Sequence, residues 1–244
     1  MLRRSRELFA DILRQTDLVL LALCAAASLF GVLMVASATR YMHTWRLVAV
    51  QSVALLLGVV LYLVISQIDL SDLCKYWKWI FLVGVAFILL LVTPLGIADN
   101  TGNRAWLDFP FLPVKVQPAE IVKLTLTLVL AKQLVWLKEN RNLSSIPSVL
   151  FLAAHLGVIF VLYYKVSSDM GSALVFLFIF ACMCFVGGVA LRWFLLGGLA
   201  GGLAFWAMWD LNKIPSYMKL RFQVLFDHSL DPQDTGWQQT RSLM

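Results

Sequence analysis

The feature that most constrains this chain is a succession of apolar blocks, each about as long as a bilayer is thick. A helical span needs about 20 mostly apolar residues. Blocks of that length read here at about Leu18–Ala38, Leu47–Ile65, Trp79–Leu95, Ala119–Leu137, Ile146–Tyr164, Gly171–Ala190 and Trp193–Trp209. Seven such spans use most of the 244 residues and leave only short connections. The composition agrees: 61% hydrophobic and 14% charged, against roughly 45–50% and about 25% in soluble domains. A soluble globular enzyme, a disordered tail and a secreted disulfide scaffold are excluded. The expected fold is an all-α, polytopic membrane helix bundle.

Three segments follow from the blocks. Residues 1–17 form a basic lead-in with Arg3, Arg4, Arg6 and Arg14. It is no cleavable signal peptide, because the next apolar block is too long and lacks a small-residue exit. Residues 18–209 form the bundle, and 210–244 a polar tail. Basic residues concentrate on the side of the N-terminal arginines, which predicts a cytoplasmic N-terminus. The stretch Gly96–Pro118 and the tail then lie outside. The formal net charge of +6 is read as span-flanking charge. No basic stripe interleaves with aromatics as nucleic-acid binding requires, so no nucleic-acid partner is expected.

Metal chemistry has little to work with. Cys24, Cys182 and Cys184 lie inside apolar blocks, and no CxxC pair accompanies Cys74. Cys182 and Cys184, two apart, point to different helix faces. His43, His155 and His228 are scattered, without a zinc spacing. No protein-held cofactor is expected.

Four polar stretches interrupt the pattern. In the first, Gln117-Pro118-Ala119-Glu120-Ile121-Val122-Lys123 opens an otherwise apolar helix. Pro118 suits a first-turn position, and Glu120 suits the positive end of the helix dipole. Glu120 and Lys123 are three apart and share a face that Thr127 continues. Such charges face a protein-lined cavity and mark function; a structural ion pair at the membrane surface is the alternative. The second stretch holds Arg104 beside Trp106: a phosphate ligand or an interfacial anchor. Its continuation, Phe109–Pro113, cannot be a regular helix. The third, Ser167-Ser168-Asp169-Met170-Gly171-Ser172, offers Asp169 as a helix N-cap. The fourth runs from Tyr217 through Lys219 and Arg221 to Asp231-Pro232 and Gly236-Trp237-Gln238-Gln239. Its cations could attract an anionic head group or be ordinary solvated loop charges.

In this order the motifs resemble the SEDS family of bacterial cell-wall proteins, RodA, FtsW and SpoVE. The family's Gly-x-x-Arg-Trp-Leu appears as Gly102-Asn103-Arg104-Ala105-Trp106-Leu107, with one residue interposed. Its Gln-Pro-Ser-Glu-x-x-Lys appears as Gln117-Pro118-Ala119-Glu120-Ile121-Val122-Lys123. Its Gln-Pro-Asp-Leu-Gly-Thr appears as Ser167-Ser168-Asp169-Met170-Gly171-Ser172, without the Gln-Pro. Its final Arg, Asp-Pro and Gly-Tyr-Gln-x-x-Gln-Ser appear as Arg221, Asp231-Pro232 and Gly236 to Ser242, with Arg241 in place of the second Gln. The likeness covers nearly the whole chain.

The resemblance implies a peptidoglycan glycosyltransferase that polymerises lipid II at the outer face of the bacterial cytoplasmic membrane. The role would be in elongation, division or sporulation, beside a class B penicillin-binding protein. It implies about ten spans and an essential Asp in a later outer loop; the chain stops at Met244, before both, and so reads as the N-terminal portion of such a protein. Lys123 would be the catalytic partner of that Asp. Glu120 would orient Lys123 rather than act as base. Arg104, Gln117, Asp169 and Arg221 would bind substrate, with cations meeting the diphosphate. A divalent cation could accompany that diphosphate. A flippase for a lipid-linked precursor and a non-catalytic membrane scaffold for the penicillin-binding protein are the competing readings.

Overall fold

The computed structural model describes residues 16–40, 45–98, 103–110, 114–211, 219–220 and 223–224. The described elements are overwhelmingly helical. They are α1 (Leu18–Ala38), α2 (Arg46–Ile65), α3 (Leu70–Leu73) running through a 3-10 turn (Cys74–Tyr76) into α4 (Trp77–Leu90), β1 (Gly96–Ile97), β2 (Trp106–Leu107), α5 (Pro118–Asn140), α6 (Ile146–Ser167), α7 (Met170–Gly187) and α8 (Leu191–Asp210). Helices prevail because a backbone in lipid must satisfy its own hydrogen bonds. The chain divides into two compact units, Met1–Val83 and Gly84–Met244.

In the first unit α1 and α2 form an antiparallel pair. Asp17 caps α1 by accepting from the Leu20 N–H at 2.9 Å. The far end of α2 returns to that start: the Tyr62 hydroxyl donates to the Asp17 carbonyl at 3.1 Å, and Thr16 and Ser66 share a 2.9 Å hydroxyl bond. Neither helix buries a residue, as expected where lipid covers apolar faces as well as protein would.

The second unit is organised around α5. Ala119, Val122, Leu126, Val129, Leu130, Gln133, Leu134 and Leu137 are buried on it, a run of three- and four-residue steps that makes one face. Helices α6 and α7 pack on this helix. Among the described residues six helical stretches are long and apolar enough to cross a membrane: α1, α2, Leu70–Leu90, α6, α7 and α8. Helix α5, expected as the fourth span, is as long but carries Glu120, Lys123, Lys132, Lys138 and Glu139. Its neighbours cover one face of it, while Leu124, Val135 and Trp136 stay exposed on the rest.

Two boundaries differ from expectation. The third span starts near Leu70 and ends at Leu90 rather than Leu95. Leu91 and Val92 keep the stretch apolar, but Pro94 cannot continue a helix and drives Thr93 out of helical geometry. The sixth span stops at Gly187, because Gly188 takes a left-handed φ of 97° and closes the helix. The joint to α8 is therefore Gly188–Ala190, with Leu191 and Arg192 already in its first turn.

Candidate functional site

Three of the polar stretches, those of Arg104, Gln117 and Ser167, meet at one end of the second unit through backbone pairing. Strand β1 pairs antiparallel with β2, setting Gly96 opposite Leu107 and Ile97 opposite Trp106. Leu107 also exchanges backbone bonds with Val116 at 2.8 and 2.9 Å. That bridge delivers the chain to Gln117, the residue before α5. On the other side, the Arg104 N–H donates to the Ser167 carbonyl at 3.0 Å, tying this hairpin to the joint between α6 and α7.

The first turn of α5 carries the ion pair that the sequence suggested. Lys123 Nζ lies 2.7 Å from Glu120 Oε2, with the lysine side chain 31% and the carboxylate 61% exposed. The lysine is therefore the more enclosed member. Thr127 stays on the same face and donates its hydroxyl to the Lys123 carbonyl at 2.8 Å. Gln117 sits at the N-cap position without a side-chain capping bond.

Arg104 is engaged. Its Nε donates to the Gly96 carbonyl at 3.0 Å and its Nη2 to the Thr93 carbonyl at 2.9 Å. Both acceptors lie on the chain leaving α4, so the guanidinium clamps the turn into β1. A guanidinium has five N–H donors. The remaining ones make no hydrogen bond among the described residues, so Arg104 serves as an anchor that still presents cationic donors.

Asp169 takes the N-cap place expected for it. Its Oδ1 accepts from the Ser172 N–H at 3.2 Å, and its Oδ2 from the Ser172 hydroxyl at 2.6 Å. The Tyr163 hydroxyl donates to the same Oδ2 at 3.2 Å. Tyr163 is fully buried and meets Phe176 edge-on, with ring centroids 5.2 Å apart. Ser168 reaches a left-handed φ of 58°, and the Asp169 N–H returns to the Ser167 hydroxyl at 3.1 Å. Removing the carboxylate strands a helix start and a buried phenol. Asp169→Ala is expected to cost about 1–2 kcal/mol from the cap, and more from the unpaired Tyr163 hydroxyl. Thermal unfolding in detergent measures this; a wild-type midpoint would show that the joint does not rest on Asp169.

The structure brings Glu120 and Lys123 together. It gathers Arg104 and Asp169 at the same end, without a hydrogen bond or ion pair to that couple among the described residues. Arg221 lies outside the described residues, as do Asp231, Pro232 and the motif beginning at Gly236. Lys219 is held by the Trp209 carbonyl at 3.0 Å, over the Trp209 ring. Tyr163 was not legible as a partner of Asp169, since a tyrosine inside an apolar block carries no signal of its own. Nor was the buried bond between Gln133 and His155 Nδ1, 2.9 Å between α5 and α6. Among the described residues no three His, Cys, Asp or Glu side chains gather where a metal ion could be held.

Helices long and apolar enough to span a bilayer, two of them packed on the charge-bearing α5, with a short hairpin bridged to the start of that helix, define a polytopic membrane protein with its candidate site at one end of the second unit. The chain belongs to the cell cycle protein family of FtsW, RodA and SpoVE, whose profile it matches over residues 15–244. A probable peptidoglycan glycosyltransferase FtsW of Saccharophagus degradans is 32% identical over 240 residues, covering 95% of this chain and 59% of that protein. The corresponding protein of Nitrosococcus halophilus is 28% identical over 249 residues, 94% of this chain and 59% of its own. The chain thus spans about three fifths of the length of these relatives. Among solved structures, a chain from a peptidoglycan synthase complex that coordinates polymerization and crosslinking matches with a TM-score of 0.74 at 29% identity, over 91% of this chain and 62% of that one. The rod shape determining protein RodA of Thermus thermophilus matches with a TM-score of 0.57 at 32% identity, over 75% and 58%.

Proposed function

We propose that this chain forms the lipid II-binding part of a peptidoglycan glycosyltransferase. The observation that carries this reading is the Glu120–Lys123 pair, set in the first turn of the helix with the most buried residues and joined through Val116 to the hairpin that carries Arg104. Polymerising a lipid-linked sugar requires cations where negative charge builds on the departing diphosphate and a base for the attacking hydroxyl. Lys123 and Arg104 suit the first need. Glu120 is occupied by Lys123, so it holds the cation in place instead of taking a proton. Any divalent cation would travel with the diphosphate.

The basic N-terminal segment stays in the cytoplasm in this reading, which puts the start of α5 and the polar tail outside. A penicillin-binding protein would meet the chain there, in line with the synthase complex that supplies one of its structural relatives.

Binding tests the proposal directly. The 244-residue chain in nanodiscs should bind fluorescent lipid II saturably, and unlabelled lipid II should displace it. An uncharged polyprenol of the same length should compete at least tenfold less well, because it lacks the diphosphate. Equal competition by the polyprenol would overturn the reading.

A further inference from the structure

We propose that the opposite end of the second unit holds the head group of an anionic phospholipid. The two ends of α5 are ~34 Å apart at 1.5 Å per residue, so this place is distinct from the candidate site. Three cations stand here: Lys138 in the last turn of α5, Arg141 at its C-cap, and Arg192 in the first turn of α8. Ser144, in the connection between α5 and α6 and three residues on from Arg141, ties that connection to the start of α8. Its hydroxyl accepts from the Ala190 N–H at 2.8 Å. Its carbonyl accepts from Trp193 Nε1 at 2.9 Å and from Arg192 Nη2 at 3.4 Å. The joint between α7 and α8 is thereby pinned onto the segment that begins at Arg141.

Both arginines lie over tryptophan rings, Arg141 over Trp136 at 5.6 Å and Arg192 over Trp193 at 5.9 Å. Stacking of this kind holds a guanidinium in place without neutralising it. Among the described residues, none of the three cations has a carboxylate within ion-pair distance; Glu139, in the same turn, pairs with none of them. Exposed, unneutralised positive charges on connected helix ends call for an anion.

The surroundings say which anion. Val135, Ile146, Leu191 and Leu195 are exposed beside these cations, and in a spanning bundle such side chains lie in hydrocarbon. Tryptophan and arginine beside them mark the depth of the lipid head groups. A phosphodiester there can take the parallel N–H donors of a guanidinium. Basic pockets between helix ends are known to select anionic head groups.

The test uses the full chain in vesicles of phosphatidylcholine and phosphatidylglycerol at equal fractions, with lipids retained after mild extraction counted by native mass spectrometry. The wild type should retain phosphatidylglycerol preferentially. The Arg141→Gln/Arg192→Gln pair should lower that preference roughly 30-fold, since each cation near an anionic surface contributes about fivefold. The Arg141→Lys/Arg192→Lys pair should keep most of it, which separates loss of charge from loss of fold. Equal retention of the two lipids by the wild type, or an unchanged preference in the glutamine pair, would overturn the proposal.

Discussion

Replacing Gly96 with alanine should unfold the hairpin joined to the start of α5. A Cβ at this position would lie 2.0 Å from the Leu91 carbonyl oxygen and 2.8 Å from its carbon, with Arg104 Nε at 3.0 Å. The obstacle is backbone, so no rotamer change relieves it. The turn from Leu91 to Gly96 must open, and several bonds go with it. The Gly96 N–H gives up the Thr93 carbonyl, the Asp108 N–H the Leu95 carbonyl, and Arg104 its hold on the Gly96 carbonyl. Overpacking of this kind costs about 1–3 kcal/mol, and each lost bond adds about 1 kcal/mol. A loss of at least about 3 kcal/mol is expected in denaturant titration of the detergent-solubilised chain, with lipid II binding falling alongside. Gly157→Ala serves as the comparison, because a Cβ there meets nothing within 4 Å and should be neutral or mildly stabilising. Equal behaviour of the two variants would show that the turn is not as close-packed as the structure has it.

The contrast between those glycines shows what a sequence can and cannot disclose here. Both sit in apolar surroundings, and only the fold distinguishes a backbone in contact from open space. Spans were legible because hydropathy over about 20 residues is a local property. The ion pair was legible because spacing of three on a helix fixes adjacency, and the Asp169 cap because its partner, Ser172, is three residues on. Contacts across greater separation left no trace in spacing: Arg104 reaches carbonyls 8 and 11 residues back, and Gln133 meets His155 from 22 residues away. The end of the third span was hidden for a different reason. Leu91 and Val92 extend the hydropathy beyond the point where Pro94 stops the helix, so composition and backbone geometry disagree there. Arg104 illustrates the limit most clearly. Its sequence context admitted either a phosphate ligand or an interfacial anchor, and the structure shows its guanidinium clamping two backbone carbonyls, a role that neither alternative described.

Lys123→Met should weaken lipid II binding by about 10- to 100-fold while leaving the fold intact. The size follows from the 1.5–3 kcal/mol typical of a hydrogen bond to a charged group, with each 1.4 kcal/mol a factor of ten. The methionine keeps the length of the side chain and removes its charge. In the membrane that removal is favourable to folding, because a cation held among apolar helices carries a desolvation cost. The Glu120–Lys123 pair recovers little of that cost, its carboxylate being 61% exposed and hence well screened. A purely structural pair and a substrate-binding lysine therefore predict opposite results. If the pair merely staples the first turn of α5, Lys123→Met lowers the thermal midpoint, and binding declines only as far as folding does. If Lys123 meets the diphosphate, the midpoint holds or rises and the affinity drops. Lys123→Arg should recover much of the affinity, since it restores charge and donors. Glu120→Gln should cost less than Lys123→Met, because it frees the cation from its orienting partner without removing it. An affinity unchanged in Lys123→Met would remove the lysine from the substrate site and leave Arg104 as its principal cation.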